Sequence, residues 1–217
     1  MVLADSEIRK EILEGNIVLY DPDRDCSGNI QNCSVDITLG NFFFRNSKPI
    51  ERLNPWCEDH VREYWGDVLT AKVVNCDNEA EAVKVPVGCS YIRMEPGESI
   101  LSHTREFVGG RNKITTMIKA RSSLGRSNIT ICRDAGWGDI NYVNRWTLEI
   151  TNNGSSPVIL PVGARVGQII FFYTGVPDFA YKGKYQPLCD GQSIDAIING
   201  WDPYMMIPQL YREKIIT

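Results

Sequence analysis

KARSSLGRSNITICRDAGWGDINYVNRWTLEI, residues 119–150, is the stretch around which the rest of the chain is arranged. It opens on Arg121-Ser122-Ser123-Leu124-Gly125-Arg126, a turn whose hydroxyls, amide N–H groups and two guanidiniums can all donate to phosphate oxygens. A short apolar segment, Ile129 to Cys132, leads into a polar loop from Arg133 to Asn144 that carries Asp139. The stretch closes on a strand pattern. With a period of two, Trp146, Leu148 and Ile150 share one face, and Thr147, Glu149 and Thr151 share the other. A carboxylate in mid-strand is disfavoured, so Glu149 needs a reason to be there.

On either side of this stretch the pattern is also one of strands and turns. Ile17–Tyr20 and the alternating run Asn32–Gly40 read as strands, as do Val158–Leu160 and Arg165–Tyr173. Near the start, Asp5 or Ser6 is placed to cap a short helix with Ile8, Ile12 and Leu13 as its apolar side and Gly15 as its stop. Met94–Glu98 and Gly109-Gly110 read as turns, Glu58–Tyr64 as an exposed helix, and Asp77–Glu81 as an acidic loop. Many strands and few long helical patterns predict an all-β or β-rich barrel in a single domain spanning residues 1–217.

Bulk properties narrow the function classes. A chain of 217 residues with 43% hydrophobic and 23% charged residues has the balance of an ordinary soluble globular protein. A net charge of −4 argues against general nucleic-acid binding, which relies on clustered Lys and Arg. The charged start, MVLADSEIRKEI, lacks the apolar centre of a signal peptide, and no apolar run is long enough to cross a bilayer. A cytoplasmic protein with no membrane partner is expected. Seven cysteines, an odd number with no C-x-x-C pair, suit reduced thiols. No H-x-E or P-C-x-x-C motif of the kind that holds a catalytic zinc is present, so zinc is not expected as a cofactor.

Three parts of the stretch, Arg121-Ser122-Ser123 with Arg126, Ala135-Gly136-Trp137-Gly138-Asp139, and Thr147-Leu148-Glu149, resemble in order and spacing the motifs of the dCTP deaminase family, relatives of dUTPase. The resemblance implies a mainly β, distorted dUTPase-like barrel with short helices, assembled as a homotrimer. It implies hydrolytic deamination of dCTP to dUTP and ammonia. Glu149 would be the acid–base group, with Ser122 and Arg126 orienting water beside the Ala135 carbonyl. Arg121, Ser122, Ser123, Lys184 and Tyr181 would hold the triphosphate, in part from a neighbouring subunit, and Gln192 is counted with the substrate-binding residues. Mg²⁺ would arrive through the phosphates, because that ion takes few protein ligands. Asp139 would accept from the sugar 3′-hydroxyl and Tyr142 would pack on the deoxyribose. Lys184-Tyr185-Gln186 resemble a family segment that closes over the nucleotide, making 181–217 the closing segment.

The chain also departs from the family pattern. Residues 46–85 match weakly and read as an insertion of unknown role. Gly138 replaces an Ile, and Ile140–Asn144 replace a turn containing Pro and two Gly, which predicts a reshaped loop. Arg133 and Asp134 bring charge to where the base edge would lie, leaving open selectivity for dCTP, a monophosphate or a modified cytosine. Ala135-Gly136-Trp137 looks like the bifunctional members that also cleave dUTP to dUMP and pyrophosphate, with Asp139 placing a second water. Two alternatives stay open: a pyrophosphatase that does not deaminate, and a catalytically silent nucleotide-binding trimer.

Overall fold

The computed structural model describes residues 1–46, 49–133, 135–178, 183–186 and 193–214. In chain order the elements are α1 (Asp5–Leu13), β1 (Ile17–Tyr20), β2 (Ile30–Gln31), β3 (Ser34–Arg45), α2 (Glu58–Trp65), β4 (Leu69–Thr70) and β5 (Lys72–Val73). There follow α3 (Asp77–Val83), β6 (Ser90–Met94), β7 (Ser99–Gly110), β8 (Ile114–Ala120), α4 (Ser122–Arg126), β9 (Ile129–Thr130) and β10 (Trp137–Gly138). The chain ends with β11 (Val143–Asn152), β12 (Val158–Pro161), β13 (Arg165–Tyr173) and α5 (Ile194–Gly200), then 3₁₀ turns at Pro203–Met206 and Leu210–Arg212.

The main sheet runs β10-β8-β13-β3-β7-β11-β9, with β1 added to β7 and with β2 and β4 added to β3. Its two ends, β9 and β10, are joined by residues 131–136 alone. That link reaches at most about 25 Å, whereas seven flat strands would span about 29 Å. The sheet therefore curls back on itself. The mainly β barrel with short helices expected from the sequence is what forms. A second sheet, β12-β6-β5, lies beside it.

Alternation accounts for the core. Val35, Ile37 and Leu39 of β3, Leu148 and Ile150 of β11, and Ile169 and Phe171 of β13 are fully buried in one cluster. On β11 the two faces are those read from the period of two: Trp146, Leu148 and Ile150 are buried, while Thr147 and Glu149 are half-buried. A second cluster joins Phe44, Val61, Leu101, Met206 and Ile207. It ties α2 and the 203–206 turn to the face of β7 that Leu101 shares with its cross-strand partner Glu149.

Four local expectations are corrected. Leu13 is 89% exposed, and its place on the buried side of α1 goes to Glu11. Glu11 accepts from the Tyr173 hydroxyl and from Asn16 Nδ2, each at 2.6 Å, and pairs with Lys113. The bond to Glu11, together with burial, pushes the Tyr173 phenol up to about 12. Gly109 and Gly110 do not form a turn but lie inside β7. A Cβ on Gly109 would sit 2.0 Å from the Tyr142 carbonyl, and one on Gly110 2.3 Å from the Ile114 carbonyl. The acidic stretch beginning at Asp77 is helix α3, and α2 is not simply exposed, since Val61 is buried. Within 46–85, β4 pairs with β3 and β5 with β6, so this region is knitted into both sheets.

Gly138 also has a packing cause. A Cβ there would lie 2.3 Å from Thr116 Oγ1 and 2.5 Å from the Trp146 ring, so the indole fills the space a larger residue would need. Gly138→Ala is expected to cost about 1–3 kcal/mol by overpacking, read as a lower urea midpoint. Gly125→Ala, with open space around its Cβ, is the control and should leave the midpoint unchanged or raise it. Equal midpoints for wild type and Gly138→Ala would refute this account.

Candidate active site

Arg121 caps the short helix α4, directly after β8. Its Nη1 donates to Asp36 Oδ2 at 2.6 Å. Asp36 is 1% exposed and also accepts from Arg165 Nη1 at 3.0 Å and Gln168 Nε2 at 3.3 Å. The cause is register: Gln168 of β13 stands opposite Asp36 of β3, and β13 also borders the end of β8. Arg121, read as a phosphate ligand, is thus held from below by a buried carboxylate. Ser122, Ser123 and Arg126 are exposed on α4. Charge and hydroxyls therefore face outward from a helix whose base is pinned.

Glu149 lies on β11 opposite Leu101 of β7. One carboxylate oxygen, Oε2, accepts from the backbone N–H of Arg133 at 3.4 Å, at the long end of a hydrogen bond. The Arg133 guanidinium runs to Ser99 Oγ and Thr151 Oγ1, both at 3.0 Å. One cross-strand pair beyond Glu149, on the same face, stands His103 opposite Thr147. His103 is 1% exposed, and burial, aided by nearby Arg145, pushes it down to about 4. Its Nδ1–H donates to the Thr104 carbonyl at 2.8 Å, and its Nε2 accepts from Phe42 N–H at 3.2 Å. Such a histidine is a neutral packing group. Glu149 is the carboxylate on this part of the face.

Residues 135–139 and β11 form two legs closed by the turn Asp139–Tyr142, where Tyr142 N–H donates to the Asp139 carbonyl at 3.0 Å. Asn141 takes a φ of 72° there, a conformation Asn tolerates in place of Gly. β10 pairs with β8, not with β11, so among the described residues the legs are unzipped between the turn and the Arg133–Glu149 contact. The unpaired stretch between the legs is the candidate slot. Ala135 and Asp139 are exposed along it, and Tyr142 packs edge-on against Trp146 at 5.4 Å between centroids. Gly136 is fixed by β8, for a Cβ on it would meet the Ile118 carbonyl at 2.8 Å.

The reshaped turn has an unforeseen partner. Gln186 Oε1 accepts from Val143 N–H at 2.7 Å, Gln186 Nε2 donates to the Asn141 carbonyl at 2.9 Å, and Asn144 Nδ2 donates to the Tyr185 carbonyl at 3.0 Å. Lys184 pairs with Glu213 of the same chain, and the Tyr185 hydroxyl accepts from Gln209 N–H at 3.1 Å. Beyond it, α5 brings Trp201 over Arg145 and His103, 4.7 Å and 4.8 Å away. Gln186 and Tyr185 thus hold the turn and the start of β11, and Trp201 lies against Arg145. Tyr181 and Gln192 lie outside the described residues.

A family model described as dCTP deaminase-like matches residues 2–174. The chain belongs to the dCTP deaminase-like family. It is 34% identical over 172 residues to a dCTP deaminase of Halorubrum lacusprofundi, covering 79% of this chain and 76% of that relative. It is 34% identical over 172 residues to a dUMP-forming dCTP deaminase of Methanobrevibacter smithii, covering 78% of this chain and 79% of the relative. The 2′-deoxycytidine 5′-triphosphate deaminase of Agrobacterium tumefaciens aligns with a TM-score of 0.55 at 17% identity, over 78% of this chain and 47% of that one. This likeness concerns the fold, and the chain spans about half the length of that solved one. The family match ends at residue 174, so Lys184-Tyr185-Gln186 lie outside it. Sequence reading missed Arg133 as an anchored neighbour of Glu149 and Asp36 as the support of Arg121. The signal for Asp36 was present, as a carboxylate inside an apolar strand.

Proposed function

We propose that this chain is a dCTP deaminase that converts dCTP and water to dUTP and ammonia, with Glu149 moving the protons. The observation that carries the reading is Glu149 itself, half-buried on β11 beside an unzipped slot, in a family whose relatives include dCTP deaminases. Water adds to C4 of cytosine while Glu149 takes one of its protons. That proton passes to N3, the amino group leaves as ammonia with a proton from the adduct, and the C4 carbonyl of uracil remains. The pyrimidine edge lies against the main chain of Ala135, Asp139 accepts from the sugar 3′-hydroxyl, and Tyr142 backs the deoxyribose.

The triphosphate is assigned to Arg121, Ser123 and Lys184, and Ser122 and Arg126 to orienting water and stabilising charge. Among the described residues no hydrogen bond or ion pair joins these side chains to Glu149 or Asp139 within one subunit. A homotrimer, in which α4 of one copy faces the slot of the next, would bring them together. Mg²⁺ is assigned to the phosphates, since that ion keeps several waters and takes few protein ligands. Bound there, it would neutralise phosphate charge. Zinc is not part of the proposed reaction, and the proposed location is the cytoplasm.

A second activity, cleavage of dUTP to dUMP and pyrophosphate, is favoured by the exposed carboxylate of Asp139 at the turn and by the dUMP-forming relative. The fit of Gly136 against Ile118 explains that glycine without reference to the sugar, so Ala135-Gly136-Trp137 is weaker support than it reads in sequence. Supplying dCTP with Mg²⁺ and separating ammonia, dUTP, dUMP and pyrophosphate tests both readings. Ammonia with dUMP and pyrophosphate is expected, and Asp139→Asn should shift the product to dUTP. Accumulating dUTP without pyrophosphate removes the second activity, and the absence of ammonia removes the first.

A further inference from the structure

We propose that Arg133 is a positioning residue for the Glu149 carboxylate, held by a hydroxyl clamp formed by Ser99 and Thr151; this rests on the deaminase reading above. Ser99 and Thr151 are cross-strand partners of β7 and β11, and their hydroxyls are 2.8 Å apart. Both accept from Arg133 Nη2 at 3.0 Å, so a single guanidinium nitrogen bridges the strand pair next to the one that carries Glu149 and Leu101. Two residues along a strand is about 7 Å, a distance the Arg133 side chain covers while its own backbone stays level with Glu149.

The anchor matters because Arg133 lies beyond Ile131, the last core position of the link, which is fully buried. Between Thr130 and Trp137 no residue takes part in strand pairing among the described residues. Along that link, Ile118 N–H donates to the Gly136 carbonyl at 2.8 Å near one end, and the Arg133 clamp acts near the other. The clamp aims the Arg133 N–H at Glu149 Oε2, and Oε1, which makes no hydrogen bond among the described residues, is assigned to water. Because the N–H contact is long, at 3.4 Å, small shifts of the link remove it. Arg133 does not act on the substrate. It sets which way the proton-carrying group points.

The test is steady-state ammonia release from dCTP with Mg²⁺ by wild type, Arg133→Ala, Arg133→Lys and Thr151→Val, with crystal structures of the first three. Arg133→Ala should lower kcat about 10- to 100-fold, the scale of a misplaced reacting group, with KM for dCTP changed less than about threefold. Arg133→Lys, whose ammonium still reaches the hydroxyls, should recover most of kcat, and Thr151→Val should fall between. Glu149 should hold one rotamer in wild type and Arg133→Lys, and several in Arg133→Ala. Unchanged kcat in Arg133→Ala would overturn the proposal, as would a raised KM at constant kcat, or equal loss in the Ala and Lys variants. A wild type that releases no ammonia would end the deaminase reading. The rotamer comparison still judges the clamp in that case, because a single Glu149 rotamer in all three structures overturns it.

Discussion

Glu149→Gln is expected to abolish measurable ammonia release from dCTP while the protein stays folded and binds nucleotide. The substitution preserves the size of the side chain and an acceptor for the Arg133 N–H, but removes the group that takes a proton from water. General acid–base groups of this kind contribute about 10²- to 10⁴-fold. The surrounding strand should tolerate the change, because Glu149 is half-buried and its neighbour pair Leu101 belongs to an apolar cluster that does not depend on the carboxylate. Nucleotide binding and thermal unfolding, measured beside activity, separate lost chemistry from lost structure. Ammonia release near the wild-type rate would mean that another group carries the proton.

Glu106→Ala should produce the largest loss of stability. Glu106 is fully buried on β7 and receives Thr38 N–H at 2.9 Å, Thr38 Oγ1 at 2.7 Å and Asn29 Nδ2 at 3.1 Å, besides an ion pair with Arg24. Arg24 also pairs with Asp21, which is 4% exposed. Removing the carboxylate strands several donors at once. Breaking a buried ion pair from one side costs about 3–5 kcal/mol, which for a domain of this size lowers Tm by roughly 6–20 °C. Glu106→Gln keeps one acceptor oxygen and should lose less. Unfolding curves at matched protein concentration decide it, and a Tm for Glu106→Ala within about 2 °C of wild type would show that the network contributes little.

The parts of this molecule legible in the sequence are those governed by short-range periodicity. The two faces of β11, the turn before β7 and the strands β1, β12 and β13 follow from alternation and turn chemistry, and the three ordered motifs pointed to the family. What was not legible depends on residues far apart in sequence. Gly138 looked like a departure in the loop, but its cause is the Trp146 ring eight residues later. Gly109 and Gly110 looked like a turn because the close approach of Tyr142 and Ile114 is a tertiary fact. Leu13 was placed on the apolar side of α1 by spacing alone, while Glu11 is drawn inward by Tyr173, Asn16 and Lys113. At the site, Glu149, Arg121 and Asp139 were found as residues. The clamp on Arg133 and the hold of Gln186 on the Asn141–Val143 turn required the register of β7 with β11 and the course of the tail.

The position of β7 also bears on how the protein is made. Its partners are β1, which pairs Ile17 with Gly110, β3, which pairs Leu39 with Thr104, and β11, which reaches it through Thr151 at Ser99. Pairings this distant in sequence fold slowly, because loop closure precedes the contacts that reward it. A ribosome releases β3 long before β13, and at about 5–20 residues per second the interval is on the order of ten seconds. Throughout that interval the edge of the long apolar strand β3 that β13 covers lies open, which invites pairing with other chains. The nascent chain is therefore most vulnerable to aggregation before β13 has left the ribosome.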